Sequence, residues 1–372
     1  MNENRGTILY VGGFELPDKN AAAHRVLNNA KIFRELGFRV IFCGIDQNIE
    51  KPILEACVVS GFESYPLPYP KTVKQWIRQM SNIDRYIALI RQNADVKAVV
   101  AYNLHALVLA KLLKFCHRRK IKVIADCTEW YANALSLTPV KFIKWLDTLL
   151  CMRHYQKKCD GMIAISRFLE GYYKKYISDI IVVPPLVDLE DEPYKSLPPK
   201  DASDKIRFVY CGSPSAAKES LGEVVSCFNA LKETNFIFRI VGITREQFVS
   251  IYHIEPDDKK ICFEGRVSHI EALNIVRQSD YSIIIRPDNR TTKAGFPTKF
   301  VEAISCGTAV IANHNSDLAE YLKDGKNGYL IDEKDLLNEF KKIMQRNTLP
   351  EIQSDLFDYH LWSEPFRILL CN

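Results

Sequence analysis

Residues 281–312 of the chain read YSIIIRPDNRTTKAGFPTKFVEAISCGTAVIA. Two short apolar runs, 281–285 and 307–312, enclose an amphipathic segment at 297–306. Short apolar strands joined through an amphipathic helix are the pattern of a β-α-β unit with parallel strands. The same alternation recurs from one end of the chain to the other, and it predicts an α/β fold built on parallel sheets.

The units fall into two series, separated by a stretch rich in proline and acidic residues. We expect an N-terminal Rossmann-like domain at 1–185, a linker at 186–205 and a second Rossmann-like domain at 206–347. The tail at 348–372 contains four aromatic residues and is expected to pack back on the body of the protein as a closing helix. The predicted helices are 21–37, 71–93, 104–118, 139–157, 166–177, 217–233, 268–278, 297–306, 316–323 and 333–345. The predicted strands are 7–12, 39–44, 97–101, 121–126, 160–164, 179–183, 206–211, 236–241, 260–263, 281–285 and 307–312.

Length and composition exclude several classes of protein. A chain of 372 residues is long enough for two domains with cores of their own. With 47% hydrophobic and 26% charged residues, it has the composition of an ordinary globular protein and differs from disordered or fibrous chains. The 11 cysteines are scattered without a Cys-x-x-Cys pair, which favours buried reduced thiols over disulfides or a zinc site. The sequence contains no signal-peptide or membrane-span pattern, so a cytoplasmic location is expected.

The charges are unevenly distributed along the chain. Residues 1–180 carry 27 lysines and arginines against 16 acidic residues, whereas residues 181–372 carry 23 against 29. A basic half is compatible with nucleic acid, an anionic membrane or a phosphorylated substrate, and also with solvated helix faces alone. Lysines beside aromatic residues, as around Trp76 and Trp145, favour the membrane over a nucleic-acid groove. The inner face of the plasma membrane is therefore a candidate partner, with the helix at 139–152 as the contact.

The segment around residue 297 combines groups that bind phosphate. Gly295 permits a tight turn, Pro297 suits the first helical position, and the first amides of a helix attract anions. Lys299 and Glu302 are three residues apart and share one helical face. A cation for phosphate and a carboxylate for ribose hydroxyls would then point to the same side. A plain surface lysine–glutamate pair is the alternative.

Residues 296–303, followed by 306–311 and 324–330, carry a resemblance to a known family. Together they resemble the donor-binding region of retaining glycosyltransferases of the GT-B fold, in the group-one or family-four class. The resemblance spans nearly the whole chain and implies two Rossmann-like domains with parallel sheets facing each other across a cleft. In that family the second acid of a Glu-x7-Glu motif holds the donor ribose, and Glu302 occupies this position. The first acid would fall at Ala294, so the chain departs from the family there.

The resemblance implies further contacts to the donor. A strand that ends at Gly212 and a helix that begins near Lys218 are similar to the family's glycine-then-lysine element for the donor diphosphate, although a turn and an exposed lysine explain them equally well. The family often has a basic residue after that glycine, where this chain has Ser213, and Arg286 or Arg290 would supply the missing charge. The donor-binding residues implied are Gly13, Gly212, Lys218, Arg286, Arg290, Gly295, Phe296, Pro297, Thr298, Lys299 and Glu302.

On the acceptor side, the resemblance points to the loops after the first, third and fourth predicted strands. Arg25 matches an arginine of the family's first helix. His105 follows the third strand, where the family often has a histidine that faces the cleft and would bond a sugar hydroxyl or orient the acceptor. Helix capping or a place in the core are the alternatives for His105. The acceptor-side residues implied are Gly12, Gly13, Arg25, Asp126 and Glu129.

The function implied is transfer of a sugar from a nucleoside diphosphate sugar to a saccharide or lipid-linked acceptor in cell-surface polysaccharide biosynthesis, with retention of configuration. The catalytic residues implied are His105, Lys218, Lys299 and Glu302. No Asp-x-Asp motif occurs, so we expect no metal or other cofactor, and lysines and helix amides would offset the charge of the leaving diphosphate. A nucleotide-sugar epimerase of the same fold and a non-catalytic nucleotide-sugar-binding subunit are the alternatives. No nucleic-acid partner is expected.

Overall fold

The computed structural model describes residues 5–53, 55–130, 138–214, 218–346 and 348–371. Its internal contacts divide the chain into two units, the first made of Met1–Leu186 and Tyr359–Asn372 and the second of Val187–Asp358. The predicted start of a helix at residue 217 lies outside the described residues. Within the described ranges, no helix has the length and apolar character needed to cross a membrane.

The strands of the first unit are β1 (Thr7–Gly12), β2 (Arg39–Cys43), β3 (Ile45–Asp46), β4 (Cys57–Val59), β5 (Phe62–Ser64), β6 (Leu67–Pro68), β7 (Val96–Tyr102), β8 (Lys122–Cys127), β9 (Gly161–Ala164) and β10 (Ile180–Val182). Eight of them form one sheet in the order β10-β9-β8-β7-β1-β2-β5-β4, and β3 pairs with β6. Within this sheet as described, β4 runs antiparallel to β5 and the other paired strands are parallel. Because the chain order reverses between β1 and β7, the loops after these two strands meet at a switch point, where open α/β sheets bind ligands.

The helices of this unit before residue 187 are α1 (Ala21–Glu35), α2 (Val73–Gln79), α3 (Asp84–Gln92), α4 (Ala106–His117), α5 (Pro139–Leu150) and α6 (Arg167–Tyr173). A π-helical turn, Cys151–Tyr155, and a 3-10 turn, Gln156–Lys158, continue α5. The single helix predicted at 71–93 is wrong, because the chain forms α2 and α3 there instead. The side chain of Asn82 accepts a hydrogen bond from the Asp84 amide (2.8 Å), a local bond that competes with helix continuation.

The second unit contains β11 (Ile206–Cys211), β12 (Phe236–Val241), β13 (Ile261–Gly265), β14 (Tyr281–Ile284), β15 (Ala309–Asn313) and β16 (Gly328–Ile331), in a parallel sheet of order β13-β12-β11-β14-β15-β16. Its helices are α7 (Glu192–Lys195), α8 (Leu221–Ala230), α9 (Arg245–Tyr252), α10 (His269–Arg277), α11 (Arg290–Ala294), α12 (Thr298–Ser305), α13 (Leu318–Tyr321) and α14 (Leu336–Met344). The sequence prediction missed β16, α9 and α11. The switch point of this sheet lies between β11 and β14.

The segment expected to be a linker, 186–205, belongs almost wholly to the second unit and contains α7. Polar contacts attach it to the loop after α10. Lys200 forms an ion pair with Asp280 (2.8 Å) and donates to the Ser279 carbonyl (2.6 Å), and the Asp201 amide donates to Gln278 (2.8 Å). These long-range bonds are the reason that a proline-rich, acidic stretch is part of a folded unit here.

The C-terminal tail divides between the two units. Phe357 packs within the second unit, with ring-centroid distances of 5.7 Å to Phe300 and 5.2 Å to Tyr321. A 3-10 turn, Tyr359–Trp362, and α15 (Ser363–Cys371) pack in the first unit, where Phe366 is fully buried 5.2 Å from Phe33. Burial of these aromatic rings stabilises each unit. The last helix of the chain packs on the core of the first unit.

Candidate functional site

In the second unit, the loops after β11 and β14 meet at the switch point. The Ser220 amide donates to the Ile285 carbonyl (3.0 Å) and joins the two loops. Gly212 directly follows β11 and has φ +137°, and a Cβ added there would lie 3.1 Å from the Nζ atom of Lys299. A side chain at residue 212 would therefore be strained and would crowd Lys299.

Three side chains form a cluster at this edge, which we call the Lys299 cluster: Lys299, Glu219 and Tyr210. The Lys299 ammonium lies 2.5 Å from the Glu219 carboxylate, and each side chain is only 13% exposed. The Tyr210 hydroxyl donates a very short hydrogen bond to the other Glu219 oxygen, and Lys299 Nζ lies 4.1 Å from the centre of the Tyr210 ring. The cluster places one cation at the sheet edge with its charge balanced by Glu219, an arrangement in which an incoming anion competes with that carboxylate.

Glu302 lies one helical turn beyond Lys299 on α12. Its side chain is 27% exposed, and its carboxylate is 3.6 Å from the His269 ring. Burial, and next the Glu302 carboxylate, raise the pKa of Cys211 to about 12. Glu302 is thus close to the end of β11 as well as to α10, and remains partly open to solvent.

The N-terminus of α12 differs in detail from the expectation. Pro297 is the N-cap residue and not the first helical residue, and no side chain caps the helix. The Phe300 amide donates to the Pro297 carbonyl (3.1 Å), so the amides of Thr298 and Lys299 are the ones that an anion next to Lys299 can use. Gly295 has φ −89°, an ordinary extended conformation, so the expected glycine-dependent turn is wrong. The reason is that α11 ends at Ala294 and the chain enters α12 in an extended form.

Two residues implied as donor contacts turn out to support the loop. Arg286 is 6% exposed, its amide donates to Asn313 (2.9 Å), and its guanidinium donates to the Thr292 carbonyl (3.2 Å). The Phe296 ring is also buried and packs 5.8 Å from Phe300, so only its backbone can meet a ligand. Arg290, by contrast, is exposed in the first turn of α11.

Lys218 and Thr298 are partly buried. Residues 215–217, which belong to the implied glycine-then-lysine element, lie outside the described residues. Lys299 is the lysine that the structure places beside Gly212. Glu219, which pairs with Lys299, directly follows Lys218 in the chain. Ala294, where the family has its first acid, is fully buried.

In the first unit, the corresponding edge is formed by the ends of β1 and β7. Gly12 has φ +144°, and a Cβ there would lie 1.8 Å from the Tyr102 carbonyl oxygen. The Gly13 amide donates to the same oxygen (3.0 Å), and Gly13 itself is exposed. Only glycine fits at residue 12, and the exposed backbone at residue 13 is available to a ligand.

Arg25 and Asp126 need a correction, because their side chains lie in the core. They form an ion pair (2.8 Å) with exposures of 3% and 0%. The Tyr10 hydroxyl donates to Asp126 (2.5 Å), and Arg25 also donates to the Val183 carbonyl (2.9 Å). Burial, and next the Asp126 carboxylate, raise the pKa of Tyr10 well above its usual value. These groups connect α1, β1 and β8 and are not accessible to an acceptor.

His105 lies in the loop after β7 and is bonded to Asp147 of α5. Its Nδ1 atom is 2.7 Å from one Asp147 oxygen, and the other oxygen accepts from the Ala106 amide (2.8 Å). The His105 side chain is 30% exposed and makes no capping bond of its own, so Asp147 supplies the cap of α4. The arrangement orients the ring and fixes its Nδ1 partner. Glu129 is partly buried, next to residues 131–137, which lie outside the described residues.

The residues that sequence reasoning missed are the partners. Glu219 and Asp147 each bond a predicted site residue, from 80 and 42 positions away in the chain. Tyr210 contacts Lys299 because β11 and α12 are neighbours in the fold. No spacing rule connects positions so far apart in the chain. The one local sign was that Glu219 is a charged residue directly after Lys218, which the sequence had already marked as a donor-binding candidate.

A family model and several solved structures match the chain. Residues 205–346 match the family model described as glycosyl transferases group 1. This segment contains β11 to β16 and the Lys299 cluster, so the match covers the sheet of the second unit. The resemblance seen at residues 296–303 is confirmed. No curated protein sequence matches the chain.

Solved structures match over both units. Sucrose-phosphate synthase (tll1590) from Thermosynechococcus elongatus has a TM-score of 0.71 at 13% identity, covering 98% of each chain. Anabaena Alr3699/HepE in complex with UDP and glucose has a TM-score of 0.63 at 12% identity, covering 98% of this chain and 99% of its own. The lipopolysaccharide outer core galactosyltransferase WaaB has a TM-score of 0.62 at 13% identity, with the same coverage. At such identities the likeness establishes the fold, and the predicted GT-B class with two parallel-sheet α/β domains is confirmed.

Proposed function

We propose that the chain is a retaining glycosyltransferase that moves a sugar from a nucleoside diphosphate sugar to a saccharide or lipid-linked acceptor in cell-surface polysaccharide biosynthesis. The observation that carries this proposal is the position of Lys299, beside Gly212 at the switch point of the sheet that matches the group 1 glycosyltransferase model. Glu302 on the same helix adds a partly exposed carboxylate. The HepE complexes with UDP and with UDP-glucose favour a UDP-sugar as donor.

In this proposal, the donor diphosphate binds against the N-terminus of α12 and takes the place of Glu219 at the Lys299 ammonium. Lys299, Lys218 and the first amides of α12 offset the negative charge of the leaving diphosphate, so the reaction needs no divalent metal. Glu302 accepts hydrogen bonds from the ribose hydroxyls. The backbone of Gly295, Phe296 and Thr298 contacts the donor sugar in place of the acid that is missing at Ala294.

The chemical step exchanges one bond at the anomeric carbon for another on the same face of the sugar. The bond from that carbon to the diphosphate oxygen breaks, and a bond to the acceptor oxygen forms. The proton of the acceptor hydroxyl passes to the leaving diphosphate. His105, oriented through Nδ1 by Asp147, binds and positions the acceptor hydroxyl. Exposed backbone at Gly13 supports the acceptor side.

The proposed place of action is the inner face of the plasma membrane. Helix α5 has no buried residue, and Val140, Phe142 and Leu146 are 39%, 44% and 37% exposed. Exposed Lys141 and Lys144 accompany them. An amphipathic surface of this composition binds anionic lipid. WaaB is by its name a lipopolysaccharide outer core galactosyltransferase, and this likeness supports the assignment to cell-surface polysaccharide biosynthesis.

The buried alanine at position 294 favours one alternative, a subunit that binds nucleotide sugar without turnover. The sharpest test measures nucleoside diphosphate release from UDP-, GDP-, ADP- and dTDP-sugars with a lipid-extract acceptor pool and a chelator. We expect release from a UDP-sugar, together with sugar-labelled acceptor. Lys299→Ala and Glu302→Ala should lower the rate at least ~100-fold.

Lys293→Ala is the matched control. Lys293 is an exposed lysine of α11, paired with Asp288 at 2.6 Å, and its loss should change the rate less than about twofold. Product formed only after a metal is added would refute the charge-offset scheme. An isomerised nucleotide sugar without acceptor would identify an epimerase, and donor binding without turnover would identify a non-catalytic subunit.

A further inference from the structure

The first unit contains a cavity of about 800 Å³, within the size range of sites for small organic ligands. It lies among the chain that follows β3, the chain around β6, and helices α2 and α3. All of its lining residues belong to the first unit. The cavity is separate in sequence from the loops after β1 and β7, and no role in the proposed reaction has been assigned to it.

The floor of this cavity is apolar. Ile83 is 8% exposed, and Leu67, Pro68 and Ala88 are half-buried beside it. The lining also includes Gln79, Arg85 and Tyr86, which are buried or half-buried, but apolar side chains predominate among the lining residues of this depth. A saccharide hydroxyl placed against those apolar side chains would lose water without replacement. A hydrocarbon chain gains free energy by leaving water for the same surface. The floor therefore selects an apolar ligand portion.

The rim of the cavity is basic. Among the described residues that line the cavity are four lysines and arginines and two carboxylates, Glu50 and Asp84. Lys71 and Arg78 are exposed, and the Lys71 ammonium is 3.9 Å from Glu50, a long contact between exposed groups that contributes little. Positive charge at the mouth of an apolar cavity matches an amphiphile with an anionic head.

The surface beside the cavity has the same mixed character. Helix α2 has no buried residue, and its Val73 and Ile77 are 55% and 51% exposed. These apolar side chains share the helix with Arg78. A lipid chain can therefore reach the cavity along an apolar and basic surface instead of crossing a polar one.

We propose that this cavity binds a phosphorylated single-chain lipid, with its hydrocarbon on the floor at Leu67 and Ile83 and its phosphate at Lys71 and Arg78. The inference rests on the proposed function and narrows its acceptor class to lipid-linked phosphates. With the phosphate held at the cavity mouth, the sugar or head group attached to it would lie outside the cavity, where it is open to glycosylation.

The test is isothermal titration of the full chain with farnesyl phosphate, farnesol and inorganic phosphate, each below its aggregation limit and without donor. We expect saturable binding of farnesyl phosphate, at least about tenfold weaker binding of farnesol, and no measurable binding of inorganic phosphate. The double substitution Lys71→Glu with Arg78→Glu should weaken farnesyl phosphate at least about tenfold. Lys74→Glu, on the same helix but outside the cavity lining, should change it less than about twofold.

A second variant, Ala88→Leu, tests the floor and should weaken farnesyl phosphate and farnesol alike, with an unchanged circular dichroism spectrum. Equal effects of Lys74→Glu and the double substitution would overturn the proposal, as would equal binding of inorganic phosphate. Sedimentation with anionic vesicles but no binding of monomeric farnesyl phosphate would assign these residues to surface attachment only. Because no donor is present, failure here with Lys299-dependent donor turnover intact would leave the proposed function standing.

Discussion

Each of the two units contains a cation paired with a carboxylate near the carboxyl ends of its parallel strands. In the first unit the pair is Arg25 and Asp126, with side chains 3% and 0% exposed. In the second unit the pair is Lys299 and Glu219, and each side chain is 13% exposed. Lys299 lies beside Gly212, whose backbone conformation favours glycine. The first unit thus holds a fully buried pair, and the second holds a pair that remains partly exposed.

Solvent access makes the difference. A fully buried pair cannot exchange its partner, because each ion would be left unpaired in a medium of low polarity. A pair at the edge can exchange the carboxylate for a phosphate, since both are anions and the ammonium remains paired throughout. Burial, more than residue type, therefore separates the framework of this protein from its candidate donor site.

The largest expected effect comes from breaking the buried pair. Asp126→Ala leaves Arg25 without its carboxylate and Tyr10 without its acceptor, and it should lower the free energy of unfolding by about 3–5 kcal/mol. Urea unfolding followed by circular dichroism measures this loss. Glu63→Ala is the control, because its ion pair with Arg39 is exposed and contributes below about 1 kcal/mol. A loss at Asp126 as small as that at Glu63 would erase the distinction between buried and exposed pairs.

Unfolding at alkaline pH tests how well Cys127, next to Asp126 in the first unit, is shielded from solvent. Burial, and next the Asp126 carboxylate, raise the pKa of Cys127 to about 12. Since the folded-state pKa is the higher one, this thiol's contribution to stability is complete below its unfolded pKa and is lost as the pH rises towards 12. The loss attributable to Cys127 should reach roughly 2 kcal/mol at pH 10.

Urea unfolding at pH 7.5 and pH 10 measures this contribution. The fall in unfolding free energy between the two pH values should be smaller in Cys127→Ala than in the wild type. Val58→Ala, at a 74% exposed position of β4, should fall as the wild type does. Identical falls in all three proteins would mean that Cys127 ionises as readily in the folded chain as in the unfolded one.

The smallest expected effect concerns UDP binding at the Lys299–Glu219 pair of the second unit. Glu219→Gln removes the anion that competes with the donor diphosphate at Lys299, so UDP should bind about fivefold more tightly, a gain of about 1 kcal/mol. Calorimetric titration with UDP measures it. Glu255→Gln, at an exposed pair with Arg245, should leave the affinity unchanged. Weaker binding in Glu219→Gln would show that the carboxylate positions Lys299 and does not compete with phosphate.

Much of the fold was predictable from local pattern. Strands β11 and β12 have the bounds predicted for them, because each is a short apolar run between polar residues. The division of the helix at 71–93 had a local cause in Asn82, whose side chain bonds the next turn. Strand β16 was missed, although the equally short β9 and β14 were predicted. Short elements that depend on a neighbouring strand leave a weak periodic signal.

The candidate site was predictable in part. Lys299 and Glu302 share a helical face whatever the rest of the chain does, since residues three apart on a helix are neighbours. Their partners were not predictable, because Glu219 reaches Lys299 only through the packing of α12 beside β11. The same holds for Asp147, which reaches His105 from another helix.

By itself, the sequence determined the α/β class, the two series of β-α units and the residue types at the donor-binding helix, because these follow from period and local chemistry. Only the tertiary structure decided that Arg25 and Asp126 lie in the core while Lys299 and Glu219 lie at an accessible edge. Arg25 and Asp126 are 101 positions apart, and Glu219 and Lys299 are 80 apart. Burial and pairing over such distances arise from the packing of whole elements, which no local pattern contains.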